Sequence, residues 1–360
     1  MTEISQPSLI YPWGDYLPEF GHLHQVHDGV YWLRLPLPFA LDHINVWLLR
    51  DHFNGQEGWT LVDTGVACPE QKEIWLNLFE KGLEGLPIVR VIVTHMHPDH
   101  VGLAGWHCDH WQAPLWMSMT DYMMAALWVQ PPSDSNPMAS QVGQATALHF
   151  QRHGYDDPEL LAAIRKRDSF YPGLVSPLPN HFHRLMHGDQ VDINGDAWQV
   201  IVGYGHAPEH VSLWSAQKNV LISGDMVLPR ISTNVSVHAF EPEANPLTLY
   251  LDSLSRYEAV DEQALVLPSH GRPFYGLHLR IAQQHQHHAE RLQETHEACR
   301  RPQGLTAAEL VPLMFQRRLD VHQLGFAMGE ALAHLHALYY QGKLERRLVD
   351  GVYRFYAHSA

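Results

Sequence analysis

Cysteine is scarce in this chain. It occurs three times in 360 residues (Cys68, Cys108, Cys299), far apart and never as a C-x-x-C pair. That excludes a disulfide framework and a thiolate zinc cluster, and leaves buried or free thiols of a reducing compartment. Basic residues are also few: 24 Lys and Arg stand against 39 Asp and Glu, a formal charge of −15. A general phosphate-binding surface is thereby excluded, because nucleic-acid affinity depends on Lys and Arg neutralising the backbone; only a local basic patch is left open. No apolar run reaches the roughly 18 residues of a membrane span, and the segment from Met1 to Tyr11 lacks the basic stretch, apolar core and small-residue cleavage site of a leader. A soluble, cytoplasmic protein without membrane contact is expected.

What is present is a globular balance, 45% hydrophobic and 18% charged, with material for one large unit and a small one. Histidine is over-represented at 28 residues, although abundance alone assigns no role. Short apolar or alternating runs at 29–35, 44–49 and 59–63, punctuated by Pro, Asp-His and Asn-Gly, predict strands of an antiparallel meander. Residues 69–83 carry helical spacing. Ile88 to Val93 is β-branched and nearly continuous, as in a strand buried on both faces. From about 116 to 180 the pattern becomes helical and rich in Met and Trp, and is read as an insertion. Strands resume at 189–193, 198–202, 211–215 and 220–223, followed by a helix over 246–258 and a strand at 264–267. The C-terminal residues 301–360 predict a helix opened by the Thr306/Glu309 capping pair, a second helix over 325–342 and a hairpin turning at Asp350-Gly351. That is a winged-helix outline, giving units of 1–300 and 301–360.

The chemistry concentrates in Thr94-His95-Met96-His97-Pro98-Asp99-His100. His95 and His97, two apart on extended chain, point the same way, while Asp99 and His100 follow Pro98, where a helix can start. Neutral imidazoles and carboxylates are the ligands of zinc-type cations, and two divergent pairs suit two ions better than one. His206, Asp225 and His270 each follow a predicted strand, beside Gly, where the backbone bends sharply. His285, His287 and His288 are read as a solvated helix face, and His107 and His110 as packing or surface. Tyr204, Tyr155 and His210 lie near the right segments for a proton donor, without a basis for choosing one.

In its order of Leu61-Val62-Asp63-Thr64-Gly65, the histidine cluster, His206, Gly224-Asp225 and Ser269-His270-Gly271, the sequence resembles the metallo-β-lactamase superfamily over roughly residues 28–285. The resemblance implies a four-layer αβ/βα sandwich with a small C-terminal winged-helix domain, similar to the β-lactamase-like protein 2 and hydroxyacylglutathione hydrolase branch. It also implies that His95, His97 and His206 hold one metal, that Asp99, His100 and His270 hold the other, that Asp225 bridges them, and that Asp63 orients ligands. One departure stands out: Gly205-His206-Ala207-Pro208-Glu209-His210 replaces a Gly-His-Thr-Pro-Gly-His pattern.

Two divalent ions are expected, zinc first, with manganese or iron as alternatives. Two adjacent cations lower the pKa of a shared water toward about 7, giving a bridging hydroxide that attacks the substrate, with Asp99 as the catalytic residue that orients or accepts a proton. A small acyl-containing substrate with an ester-type bond is expected, thioester first, because thiolate leaves without a well-placed acid. The alternatives are a winged-helix-bearing endoribonuclease, and a mononuclear iron oxygenase or non-catalytic ligand-binding protein. A homodimer is left open.

Overall fold

The computed structural model describes residues 8–39, 41–130, 137–166, 170–316 and 318–358. Residues 131–136 and 167–169 of the expected insertion, and the first seven of the chain, lie outside that range.

A first sheet runs in chain order through β1 (His24–His27), β2 (Val30–Pro36), β3 (His43–Phe53), β4 (Gln56–Val62), β5 (Ile88–Ile92), β6 (Leu115–Met117) and β7 (His183–Arg184), antiparallel as far as β4 and parallel beyond it. The second sheet is ordered β12-β11-β10-β9-β8, from β8 (Gln190–Ile193), β9 (Asp196–Gly203), β10 (His210–Ser215), β11 (Val220–Gly224) and β12 (Leu265–Pro268), with only β11 and β12 parallel.

Side-chain alternation along each strand sorts residues into layers. On β3, Trp47 and Leu49 face the second sheet, where they meet Trp198, Val200 and Leu213; Ile44, Val46 and Leu48 face outward. Over that outward side lie α1 (Pro69–Lys81), α2 (Pro98–Val101), α3 (Ala104–Trp111) and α4 (Met119–Trp128), which contribute Trp75, Val101, Cys108 and Tyr122. The outer face of the second sheet, through Ile201, Leu221 and Val266, packs against α5 (Pro137–Arg152), α6 (Pro158–Arg165), α7 (Pro246–Leu254) and α8 (Leu277–Ala298). Helices, sheet, sheet and helices make the expected four layers.

All five residues of β5 are buried, and its middle residue is Arg90. Its guanidinium meets Asp51 Oδ2 at 2.5 Å, donates through Nε to Thr60 Oγ1 at 3.0 Å and reaches the Asp192 carbonyl at 2.8 Å. Asp51 Oδ1 also accepts the Asn194 N–H at 3.0 Å. This pair ties the two sheets together, and its geometry satisfies charges that would otherwise be costly to bury.

The C-terminal elements are α9 (Ala307–Met314), α10 (Val321–Tyr340), β13 (Leu344–Val349) and β14 (Val352–Ala357), in the expected helix, helix, hairpin order. The Thr306/Glu309 capping box is formed. α10 begins four residues before Gly325, because Asp320 and Gln323 make a second capping box. Leu310, Met328, Leu332 and Phe355 share one apolar core with Phe150, Leu161, Leu254 and Leu277, so this unit is braced against α5 to α8.

The histidine face of α8 is only partly solvated, contrary to expectation. His285 is exposed and His287 half-buried, but His288 is buried, its Nδ1 lying 3.3 Å from His334 Nε2 on α10. The solvated face ends where α10 packs. Among the described residues, no helix is long and apolar enough to cross a membrane.

Candidate metal centre

Five strand ends converge on the site. Asp63 follows β4, His95 follows β5, His206 follows β9, Asp225 follows β11 and His270 follows β12. The β5 exit is fixed by backbone pairing of Asp63 N–H with the Ile92 carbonyl (2.9 Å) and of Val211 N–H with the Thr94 carbonyl (2.7 Å). His97 is the N-cap of α2, Pro98 occupies its first helical position, and Asp99 and His100 fall in the first turn. Proline there loses no helical hydrogen bond.

Hydrogen bonds to the far side of each ring aim its other nitrogen inward. His206 Nδ1 donates to the Asn234 carbonyl (2.7 Å), His270 Nδ1 to the His43 carbonyl (2.8 Å) and His100 Nδ1 to Asp63 Oδ2 (2.7 Å). Asp63 is itself held, its Oδ1 accepting Thr94 N–H and its Oδ2 the Thr94 hydroxyl, both at 2.8 Å. In the neutral ring each Nε2 then carries the lone pair, turned inward. Asn45 anchors the His270 loop, with Nδ2 donating to the Pro268 and Gly271 carbonyls at 2.8 and 2.9 Å.

Ligand-capable atoms of His95, His97 and His206 lie within 4.8 Å of one another, as do those of His95, His100 and Asp225, and those of Asp99, His100 and His270. Asp225 stands between the outer two groups. Its Oδ2 is 3.3 Å from His206 Nε2 and 3.6 Å from His100 Nε2, and its Oδ1 is 3.4 Å from His270 Nε2. All seven residues singled out in the sequence, and Asp63, are therefore brought together.

The donor set fits divalent cations. His95 Nε2 and His206 Nε2, the latter a bare acceptor, sit 3.2 Å apart, and His95 Nε2 is 2.8 Å from His97 Nδ1. A tetrahedral ion with bonds of 2.0–2.1 Å sets neighbouring nitrogens about 3.3 Å apart. Among the described residues, His100 Nε2 and Asp225 Oδ1 are buried without a hydrogen-bond partner, a cost that a shared cation removes. Charge agrees with this. Burial, then the neighbouring histidines, holds His95 well below its ordinary pKa; burial and then His206 take His97 to about 3, so both stay neutral. Burial also opposes protonation of His100 and His270, yet Asp99, Asp63 and Asp225 raise His100 well above its ordinary value, and Asp225 and Asp99 raise His270 to about 10. Despite burial, His100 and His270 keep Asp99 ionised, at about 2. The carboxylates demand positive charge here, which cations supply in exchange for those protons.

His210 serves the centre indirectly. It is buried, and its Nε2 accepts the Asp225 N–H at 3.0 Å. Gly224, at φ +55°, allows that approach, since a Cβ there would lie 2.4 Å from His210 Nε2. Of the tyrosines near the right segments, Tyr204 lies under the Arg256 guanidinium and Tyr155 packs into the C-terminal core. The sequence reading overlooked Tyr171, whose hydroxyl donates to the Met96 carbonyl at 2.6 Å. It also overlooked Asn45 and the carbonyls of His43 and Asn234; a backbone acceptor leaves no mark in a sequence. His107 packs edge-on against Trp75 and His110 is exposed. Within the insertion, α4 leaves Met119 and Met123 40% and 50% exposed, and Trp128 packs on Tyr171 and on Phe240 of the opposite loop.

Comparison with known proteins agrees with this architecture. The family model described as the metallo-beta-lactamase superfamily matches residues 40–270, and that of the metallo-beta-lactamase-like C-terminal domain matches 292–358. The chain is 23% identical over 327 residues to the probable metallo-hydrolase YqjP of Bacillus subtilis (strain 168), spanning 86% of this chain and 92% of that one. Among solved structures, a beta-lactamase domain protein from Burkholderia ambifaria is similar with a TM-score of 0.89 and 50% identity, covering 97% of this chain and 98% of that one. The metallo-beta-lactamase family protein TTHA1429 from Thermus thermophilus has a TM-score of 0.73 and 26% identity, covering 93% and 100% respectively.

Proposed function

Because the chain belongs to the metallo-β-lactamase superfamily and is a hydrolase of that fold, we propose that its centre holds two divalent cations, zinc first, and cleaves an ester-type bond in a small acyl-containing substrate, a thioester first. His95, His97 and His206 are assigned to one ion, Asp99, His100 and His270 to the other, and Asp225 to both. The observation that carries this reading is the convergence of inward Nε2 atoms on Asp225 from both sides.

The ions, when bound, supply Lewis acidity, drawing in the substrate oxygen and lowering the pKa of water toward about 7. The chain's own residues do the rest. Asp63 and the His43 and Asn234 carbonyls fix the tautomers of His100, His270 and His206. Asp99 turns Oδ2 toward His100 and His270, at 3.6 and 3.4 Å, and its Oδ1 is assigned the proton that water releases. A thiolate then leaves without a proton donor, in keeping with a Tyr171 hydroxyl that is engaged by the Met96 carbonyl. The exposed Met119 and Met123 and the Trp128–Phe240 contact favour an acyl group over a compact polar substrate. We read residues 301–360 as a winged-helix-like unit that braces the 1–300 catalytic unit.

A panel of acyl thioesters, oxyesters and a labelled single-stranded RNA, run with wild type and His95→Ala, tests this. Thioester cleavage lost in the variant is expected. RNA cleavage lost in the variant, without thioesterase activity, would overturn it.

A further inference from the structure

The first turn of α4 is wired outward. Ser118 and Asp121 have the spacing of a capping pair, yet Ser118 makes no capping bond and Asp121, fully buried, turns away from its own helix. Asp121 Oδ1 accepts Met96 N–H at 2.9 Å; its Oδ2 accepts Glu209 N–H at 2.7 Å and the Ser118 hydroxyl at 3.2 Å. The unpaired N–H of Thr120, the second helical residue, is satisfied from elsewhere in the chain, by Glu209 Oε2 at 3.1 Å. Helix α4 thus lends a carboxylate to the 205–210 loop, and that loop lends one back.

Met96 separates His95 from His97, and Glu209 lies three residues after His206. Both segments of the three-histidine group therefore hang on one buried carboxylate. The other group is steered by Asp63 and the His43 carbonyl. Asp63 also reaches His95 through the Thr94 hydroxyl, which lies 3.0 Å from His95 Nδ1, whereas Asp121 and Glu209 bond only the Met96 and 205–210 side of the centre among the described residues. Glu209 is also where the sequence departs from the pattern it resembles: a glycine there would keep the N–H given to Asp121 but offer nothing to Thr120.

We infer that Asp121 and Glu209 are positioning residues that set the spacing of His95, His97 and His206, and with it the cation affinity of that group, separately from Asp99, His100 and His270. The inference rests on the reading of both groups as metal ligands. Groups that orient ligands in this way typically change metal affinity about 10–100-fold.

The test uses the full-length chain as wild type, Asp121→Asn, Glu209→Ala and Glu209→Gln. Zinc affinity is read by competition with a chromogenic chelator, Co²⁺ absorption reports each site, and thermal unfolding of metal-free protein separates out folding defects. Asp121→Asn, whose amide must set an N–H against a backbone N–H, is expected to weaken one of two ions about 10–100-fold and leave the other unchanged. Glu209→Ala is expected to weaken the same ion, and Glu209→Gln, which still accepts from Thr120, to recover it. If Asp121→Asn does not fold, the Glu209 pair decides alone. Variants that hold both ions as tightly as wild type, an equal loss at both ions, or a Glu209→Gln no better than Glu209→Ala would overturn the latch while leaving the metal centre standing. A wild type that takes up no divalent ion would overturn the metal centre, and the latch with it.

Discussion

Substituting Asp63 with asparagine keeps the side-chain shape and removes one of two oxygens. Those oxygens accept Thr94 N–H, the Thr94 hydroxyl and His100 Nδ1–H, all within 2.7–2.8 Å, at a residue 1% exposed. Turned one way, the new amide faces Thr94 N–H; turned the other, it faces His100 Nδ1–H. Either way one buried donor opposes another, which costs about 1–3 kcal/mol. The backbone adds nothing to that cost, because Asp63 sits at φ +63° and asparagine tolerates the left-handed region as well as aspartate does. Metal-free Asp63→Asn should therefore be about 1–3 kcal/mol less stable in urea unfolding, and a freed His100 ring should weaken one ion about 10–100-fold. Calorimetric zinc titration beside urea unfolding reads both quantities. Wild-type stability together with two wild-type affinities would refute the role given to Asp63.

Removing one side of the buried pair, as in Asp51→Ala, leaves Arg90 charged between the sheets and is expected to cost about 3–5 kcal/mol in denaturant unfolding; a loss under about 1 kcal/mol, the scale of an exposed pair, would contradict the pairing. Burial, with His110 adding to it, holds His107 down to about 3. Folded protein therefore binds fewer protons there than unfolded protein, and stability falls as pH drops from about 6.5 toward 3. Between pH 7 and pH 5 this one ring accounts for about 2 kcal/mol, so His107→Leu should flatten that limb by as much; an unchanged limb would refute it. Gly205 lies at φ +93°, and a Cβ there would come 2.3 Å from the Pro246 carbonyl, whereas one at Gly188, at φ +89°, would meet nothing within 4 Å among the described residues. Thermal melts should show Gly205→Ala far more destabilised than Gly188→Ala, and equal shifts would contradict the steric argument.

Much of the site is legible in the sequence because ligands sit where strands end, and strand ends carry Gly, Pro and Asp. His206, Asp225 and His270 are found that way, and the Thr306/Glu309 pair locates α9. β1, β6 and β7 escape, being strands of four, three and two residues, too short for alternation to register. His288 is misread because packing against Tyr250 of α7 and His334 of α10, both distant in sequence, removes it from water. The Ser118-x-x-Asp121 spacing is a visible signal, but nothing local shows that its carboxylate serves two distant loops. The spacing of the inserted helices likewise leaves open what they pack against, since α5 and α6 are buried by residues far later in the chain, among them Leu310, Leu332 and Phe355.

The central claim is that this cluster is a two-cation centre. Its most direct test is metal content by plasma mass spectrometry after zinc loading and desalting, for wild type, His97→Ala and His270→Ala. About two ions per wild-type chain, and about one in each variant, is the predicted result. One ion in wild type that survives in His270→Ala, or none at all, would contradict it.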